Sequence, residues 1–417
     1  MKRVISVVLA LAISVSMLSA CGNQSEKDGS EITQGSDVKE KSEKEGSGLH
    51  TLYFKDSTKS DRAVATFFNS VSEESTDVEM KKISEDSKSV TFSCEGDCAA
   101  YNMAYVTCGD KKSREFAFNK CVSGWYGIDD YVLPYTEGKE PCYSHELEEV
   151  TLTGYGSETL LYIWTPDDYD PMSDEKYSTI YALDGQSLLF SEDNGQKLKD
   201  CPGFIEQVEA MSSVTGEKAI VVGIESAAAR NYELVPQIGI SRDEEDFISK
   251  HDSAFADEFD CMNGTQFADF AAHTVVPYIQ QHYNVYSDAL HTSVEGYSLG
   301  GLEAFYIAVE YPEVFGTSGS MSPSFWEFDD STWKSYLSKK SFGENSPSIY
   351  LYTGPDPYDT GPEVTAMYDR LKDMGYPESK LTLHFNKTGT HSSVLWRSFY
   401  SEFFSIFLSR VERSERI

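Results

Sequence analysis

A serine, a histidine and a loop of carboxylates in the second half of the chain have the types and the order that acyl transfer needs. Ser298 lies in Gly296-Tyr297-Ser298-Leu299-Gly300, a G-x-S-x-G pattern in which the serine tops a sharp strand-to-helix turn and its flanking residues must be small. A β-prone stretch precedes it and an apolar helical run follows it, as such a turn requires. A hydroxyl becomes a nucleophile only when a base takes its proton and a third group orients that base. With the order serine, acid, histidine, the base lies downstream, where His384 and His391 stand. His384 falls inside the alternating strand "LTLHFN", the setting of a structural histidine, whereas His391 follows "NKTGT" in a loop and is assigned as the base.

The acid is sought in "IYLYTGPDPYDTGPE", which ends an apolar strand and turns. Asp356 is the first choice, Asp359 and Glu363 are alternatives on the same loop, and a helix N-cap is the bland role for Asp356. A developing oxyanion needs two backbone donors. One is expected from Leu299, just after the nucleophile, and the other from "YALDGQS", where Gly185 lets the backbone approach the substrate and the Gln186 N–H donates.

These groups need a scaffold. After Glu148, strand-like runs "TLLYIWTP", "STIYALDG", "AIVVGIES", "TSVEGYS", "SIYLYTG" and "KLTLHFN" alternate with helical patterns, including Phe267 to Tyr283 and Leu302 to Glu310. That alternation predicts an α/β fold with a mostly parallel sheet covered on both faces, whose ligands gather at the carboxyl ends of the strands. Ser298 sits at one of those ends. From His50 to Tyr143 short runs such as "SVTFSC" and "YNMAYVTC" predict a small sandwich-like β-rich domain, in which Trp125, Tyr126 and Tyr131 are either core or a carbohydrate-stacking platform. The expected organisation is therefore residues 1–21, 22–49, 50–145 and 146–417.

The first two segments concern delivery. Lys2 and Arg3 precede an apolar run from Val4 to Leu18 that reads as a signal peptide. It closes on Leu18-Ser19-Ala20-Cys21, which resembles a bacterial lipobox and implies a lipidated Cys21. Two acyl chains on that cysteine suffice for stable anchoring. Residues 22–48 are mostly Gly, Ser, Glu, Asp and Lys and read as a flexible tether. The chain is thus expected to be exported and held on the outer face of the cytoplasmic membrane, or in the periplasm or outer membrane of a two-membrane host. Seven further cysteines, five of them between 94 and 142, suggest disulfides after export, with one left over; zinc is the rival reading.

The stretch from about Leu152 to Phe407 resembles the putative-esterase family of α/β-hydrolases, which includes enterochelin esterases, esterase D-type enzymes, feruloyl esterase modules and mycolyltransferases. The segments that carry it are "LDGQ", "RNYELVP", "FADFAAHTVVPYIQQHYNV", "GYSLGGLEAFYIAVEYPEVFG", "SPSFW" and "GTHSSVLWRSF", in that order. The resemblance implies Ser298, His391 and Asp356 as the triad, Gly185 and Gln186 in the oxyanion loop, and Arg230, Trp326 and Tyr297 beside the substrate. This chain departs from relatives at Thr274-Val275-Val276-Pro277 and at His391-Ser392-Ser393.

A formal net charge of -33 opposes nucleic acid as a partner. The same charge and the long acidic segment between Ser241 and Gln266 also disfavour anionic catecholates, for which few cations are on offer. The expectation is a serine esterase acting on a small-molecule or polysaccharide-linked ester, with no metal or organic cofactor implied. An acyltransferase with the same triad and a non-catalytic binding lipoprotein are the rivals.

Overall fold

The computed structural model describes residues 48–414, apart from residues 71, 73, 119–121, 128–131, 136–146, 190–191, 194–195, 198–202, 227–229, 241–262, 356–359 and 388. The lipobox with Cys21, the tether, Tyr131 and the acidic segment after Ser241 lie outside the described residues, as do Asp356 and Asp359.

Eight strands build the largest sheet, in the order Glu148–Gly154, Ser157–Trp164, Ala219–Ile224, Ser178–Leu183, Thr292–Tyr297, Thr317–Met321, Ser348–Thr353 and Leu381–Phe385. The first two run antiparallel to their neighbours and the other pairings are parallel. This is the α/β fold with a mostly parallel sheet that the alternation of strands and helices predicts. Every residue of Ser178–Leu183, Ala219–Ile224 and Ser348–Thr353 is buried, which is why these runs are largely apolar, with polar residues only at the ends, instead of alternating. The edge strand Glu148–Gly154 is half exposed and keeps its alternation.

Helices cover both faces. On one side Phe267, Phe305, Trp333 and Met367, from four different helices, share a core with Leu183 and Val294 of the sheet. On the other, Phe204 and Val208 of the helix Phe204–Thr215 pack with Tyr400, Phe403 and Phe404 of the helix Ser393–Ser414. The pattern from Phe267 to Tyr283 resolves into the helices Gly264–Phe270 and Val276–His282 joined by a π-turn over Ala271–Val275. Pro277 has no N–H to give to the preceding turn and its ring crowds the carbonyl four residues back, so the backbone widens there.

Residues 49–134 form two further sheets, one ordered Leu133–Pro134, Gly124–Tyr126, Leu49–Asp56, Val90–Asp97, Lys81–Glu85 and the other built on Ser75–Glu79, Ala63–Phe68 and Met103–Cys108. Their inner faces meet through Phe54, Phe67, Phe92 and Phe116 in a sandwich-like core. That core also takes in the helix Ser393–Ser414, which contacts Phe116–Ala117. Trp125 belongs to it: the indole is 1% exposed and stacks on Phe116 at 4.6 Å, so it is a packing residue and not a sugar platform. Cys94, Cys98 and Cys108 are free thiols, so none of the expected disulfides joins these three; the other two clustered cysteines, Cys121 and Cys142, lie outside the described residues. Burial pushes the Cys94 thiol up to about 12 and raises Cys108 as well, which makes both poor thiolates. Among the described residues no helix is long and apolar enough to cross a membrane.

The helix Leu299–Glu310 is buried from Leu299 to Val309 and carries Glu303 into the core. Neither Glu303 carboxyl oxygen has a hydrogen-bond partner among the described groups, and burial holds its proton on well above the ordinary value of 4.5. In the unfolded chain the same group ionises near 4.5, so the unfolded state binds fewer protons as pH rises and stability falls. Relative to Glu303→Gln, the wild type should lose about 1.4 kcal/mol of stability for each pH unit above that value until the buried carboxyl itself ionises. Urea titrations of both chains between pH 5 and pH 8 measure this, and parallel curves would contradict it.

Candidate active site

Ser298 has φ 57° and ψ -121°, a conformation that L side chains avoid and that costs roughly 1–3 kcal/mol. Its surroundings impose it. The Ser298 N–H donates to the Met321 carbonyl at 2.9 Å, and its own carbonyl accepts from Leu302 and Ser324 N–H groups, both at 3.0 Å. A Cβ on Gly296 would lie 2.5 Å from the Gly300 backbone, so the strand can meet the helix this closely only at a glycine. The side chain is left at the carboxyl edge of the sheet, with Oγ 3.4 Å from Ser324 Oγ.

His391 Nε2 lies 3.2 Å from Ser298 Oγ, within reach for proton transfer. The loop that brings it there is pinned at its base. Asn386 N–H donates to Thr353 O at 2.8 Å, Gly389 N–H closes a turn on Asn386 O, and Asn386 Nδ2 donates to the Tyr352 hydroxyl at 3.0 Å. The imidazole then stands edge-on to Trp396 at 4.7 Å, and Trp396 Nε1 donates to Ser322 Oγ at 2.8 Å. His384 plays a different part. Its Nδ1 lies 2.6 Å from the Glu402 carboxylate and it packs against Tyr352 and Phe399, as a structural histidine does.

Leu299 opens its helix and Gln186 is the second residue of the short helix Gly185–Leu188, so neither N–H has an acceptor one turn back. Both are thereby suited to an oxyanion. The short helix is capped by Asp184, which is fully buried with φ 56° and ψ 39°. Arg230 grips the Asp184 carboxylate with two donors, Nε at 2.7 Å and Nη2 at 2.6 Å, and the Ser226 hydroxyl donates to it as well. The Gln186 side chain in turn donates to Ser226 Oγ at 2.9 Å and accepts from Ser226 N–H. A Cβ on Gly300 would come within 3.0 Å of that Asp184 carboxylate, so the oxyanion loop and the serine turn are packed directly on each other.

A Cβ on Gly185 would lie 2.5 Å from the Gly223 backbone, so the glycine also seats the short helix on its neighbouring strand. The Arg230 guanidinium is forked on Asp184, 5.6 Å from the Tyr297 ring. Trp326 is half-buried in the turn Phe325–Glu327, which directly follows Ser324. Glu363 is exposed in the first turn of Gly361–Asp373. Gly354, just after the strand Ser348–Thr353, has a Cα that would lie 3.0 Å from a Cβ on Gly389 in the histidine loop.

A cavity of about 390 Å³ opens beside the Ser298–His391 pair, walled by Leu188, Tyr297, His391, Trp396, Arg397 and Tyr400. Burial, reinforced by the nearby Asp184 carboxylate, pushes the Tyr297 phenol up to about 12, so it is neutral here. Asp184, Ser226, Trp396 and Arg397 belong to the site although the sequence does not single them out. Asp184 and Arg397 fall within the motifs "LDGQ" and "LWRSF", but nothing local distinguishes a buried aspartate cap or a cavity-facing arginine from surface charges. Their partners are distant in sequence: Arg230 for the first, and Ser187 for the second, whose carbonyl accepts from Arg397 Nη2 at 2.9 Å.

Residues 153–354 match the family described as "Putative esterase". Among curated proteins, the uncharacterized protein YbbA of Bacillus subtilis (strain 168) is 24% identical over 124 residues, which are 28% of this chain and 48% of that protein. The chain thus spans about half the length of the curated relative it matches. Among solved structures, the enterobactin esterase FES from Shigella flexneri aligns over 87% of this chain and 93% of its own at 15% identity, with a TM-score of 0.46. An IroE-like serine hydrolase from Shewanella oneidensis aligns over 63% and 79% at 17% identity, with a TM-score of 0.47.

The fork on Asp184 makes a bench test of the oxyanion loop. Arg230→Lys keeps the charge but loses the two-pronged geometry, so the Gln186 N–H should drift from its line. On a nitrophenyl ester kcat should fall by about a hundredfold with KM changed far less. Steady-state kinetics decide it, and an unchanged kcat would show that the loop holds without the fork.

Proposed function

We propose that the protein is a serine esterase that cleaves carboxylic esters through an acyl-enzyme, a reading supported by the match of residues 153–354 to the family described as "Putative esterase". The observation that carries the reading is the 3.2 Å approach of His391 Nε2 to Ser298 Oγ at a strained strand-to-helix turn. In the proposed reaction Ser298 Oγ attacks the ester carbonyl while His391 Nε2 takes its proton. The carbonyl oxygen becomes an oxyanion held by the Leu299 and Gln186 N–H groups. As the intermediate collapses, the C–O bond to the alcohol breaks and His391 returns the proton to the departing oxygen. Water, deprotonated by the same imidazole, then releases the acid and restores the serine. Asp356 is proposed to orient the imidazole. The protein is further proposed to act outside the cytoplasm, anchored through a lipidated Cys21.

The test uses the full chain in detergent, a fluorophosphonate probe and a short-chain nitrophenyl ester, beside Ser298→Ala. Wild type should label and turn over, and the variant should lose labelling and about 10⁴-fold or more of kcat with an unchanged circular dichroism spectrum. A folded wild type that neither labels nor hydrolyses would leave the Gly-Tyr-Ser-Leu-Gly turn a bend without chemistry. For the anchor, cells fed radiolabelled palmitate should yield labelled wild type and unlabelled Cys21→Ala, and label in both would refute lipidation at that cysteine.

A further inference from the structure

Next to the nucleophile stands a second serine that the reaction above does not use. Ser324 is 2% exposed, and among the described residues its hydroxyl has one hydrogen-bond partner, Ser298 Oγ at 3.4 Å. The backbone holds the two residues together. Ser324 N–H donates to Ser298 O at 3.0 Å, and Ser324 O accepts from Glu327 N–H at 3.1 Å. The turn that follows is fixed in the core, with Trp333 Nε1 donating to Phe325 O at 2.9 Å and the Phe325 ring edge-on to Phe305 and Trp333. A hydroxyl has one hydrogen to give and two lone pairs to offer. In the proposed reaction Ser298 gives its hydrogen to His391 Nε2, 3.2 Å away. Ser324 is then the donor of the serine pair, and Ser298 Oγ accepts from it.

Resting on the serine-esterase reading, we infer that Ser324 is a further catalytic residue: its hydroxyl donates to Ser298 Oγ, aims the nucleophile's own hydrogen at His391, and steadies the charge on Oγ when it attacks and when it leaves. At 3.4 Å the contact is longer than a settled O–H···O bond. A donor to an oxygen that carries negative charge draws closer and binds about twice as strongly, and catalytic hydrogen bonds that are long at rest tighten in the transition state. The Leu299 and Gln186 N–H groups are proposed for the carbonyl oxygen; Ser324 serves another oxygen of the same tetrahedral centre. Its part is largest in the release of the acid. There the water oxygen bonds to the acyl carbon as His391 takes its proton, the C–Oγ bond breaks, and the electron pair passes to Ser298 Oγ. His391 returns the proton to that oxygen, and Ser324 keeps its own hydrogen throughout.

Stopped-flow burst kinetics of the full chain on nitrophenyl acetate separate acylation from release, and the burst amplitude counts the working serines. Per working serine, Ser324→Ala should lower both rate constants by about fivefold to tenfold. Ser324→Thr and Ser324→Val share a shape and differ by the hydroxyl, so the first should be faster than the second by a similar factor. A residue that only packs would leave Thr and Val equal. Should Ser324→Ala fail to fold, the Thr and Val pair carries the test, and should that pair fail, Ser324→Ala carries it. Unchanged rate constants in a folded Ser324→Ala, or equal ones in Thr and Val, overturn the inference while leaving the esterase intact. Raised rate constants in Ser324→Ala overturn it too, and place the Ser298 hydrogen on Ser324 at rest. A folded wild type with neither burst nor fluorophosphonate labelling overturns the esterase reading and this inference with it.

Discussion

The site depends on a backbone conformation that no isolated peptide would hold. Ser298 sits in a region of φ and ψ from which ordinary residues are driven by steric clash, and it stays there because both faces of its peptide units are committed. Its N–H is tied to the neighbouring strand at Met321, and its carbonyl to the helix it starts and to Ser324. The strain is offset by the rest of the sheet. In exchange, Oγ is left within reach of His391 Nε2 at the start of the helix Leu299–Glu310, so the position of the hydroxyl and the start of the helix are set by one structural event.

The second donor comes from another strand, and the two must be kept in register. The buried Asp184 does this. It caps the short helix, accepts a two-pronged contact from Arg230 and lies against Gly300. A buried carboxylate is costly unless its charge is met at close range, so the ion pair resists any slip of the loop that would separate the partners. Gly185 against Gly223 and Gly296 against Gly300 are the steric counterpart of the same requirement: three segments approach until only hydrogen atoms fit between them.

Much of this is legible in the chain. The six runs from "TLLYIWTP" to "KLTLHFN" correspond to six strands of the eight-stranded sheet, and a run such as "AIVVGI" is legible because a strand covered on both faces is apolar throughout. Ser298 stands out because its turn demands glycines at fixed offsets, and His391 because its loop follows a strand end. What escapes a reading of the sequence is of two kinds. The strand Thr317–Met321 has the sequence TSGSM, with small residues at its centre, where the Phe403 ring would stand 2.9 Å from a Cβ at Gly319 and leaves no room for a side chain. The roles of Asp184 and Arg397 escape because they are set by burial and by partners far along the chain, as does the fate of Trp125, whose aromatic character suits a sugar face and a core equally well.

The distances along the chain between the parts carry a further consequence. His391 is 93 residues from Ser298, and Arg397 is 210 from Ser187, while the helix that follows His391 lies in the core beneath the sheet. A site made wholly of such remote contacts exists only when nearly every element is in place. Partly folded forms of the protein, and any chain broken off before residue 391, therefore lack the Ser298–His391 pair, and its formation reports that the whole sheet has assembled.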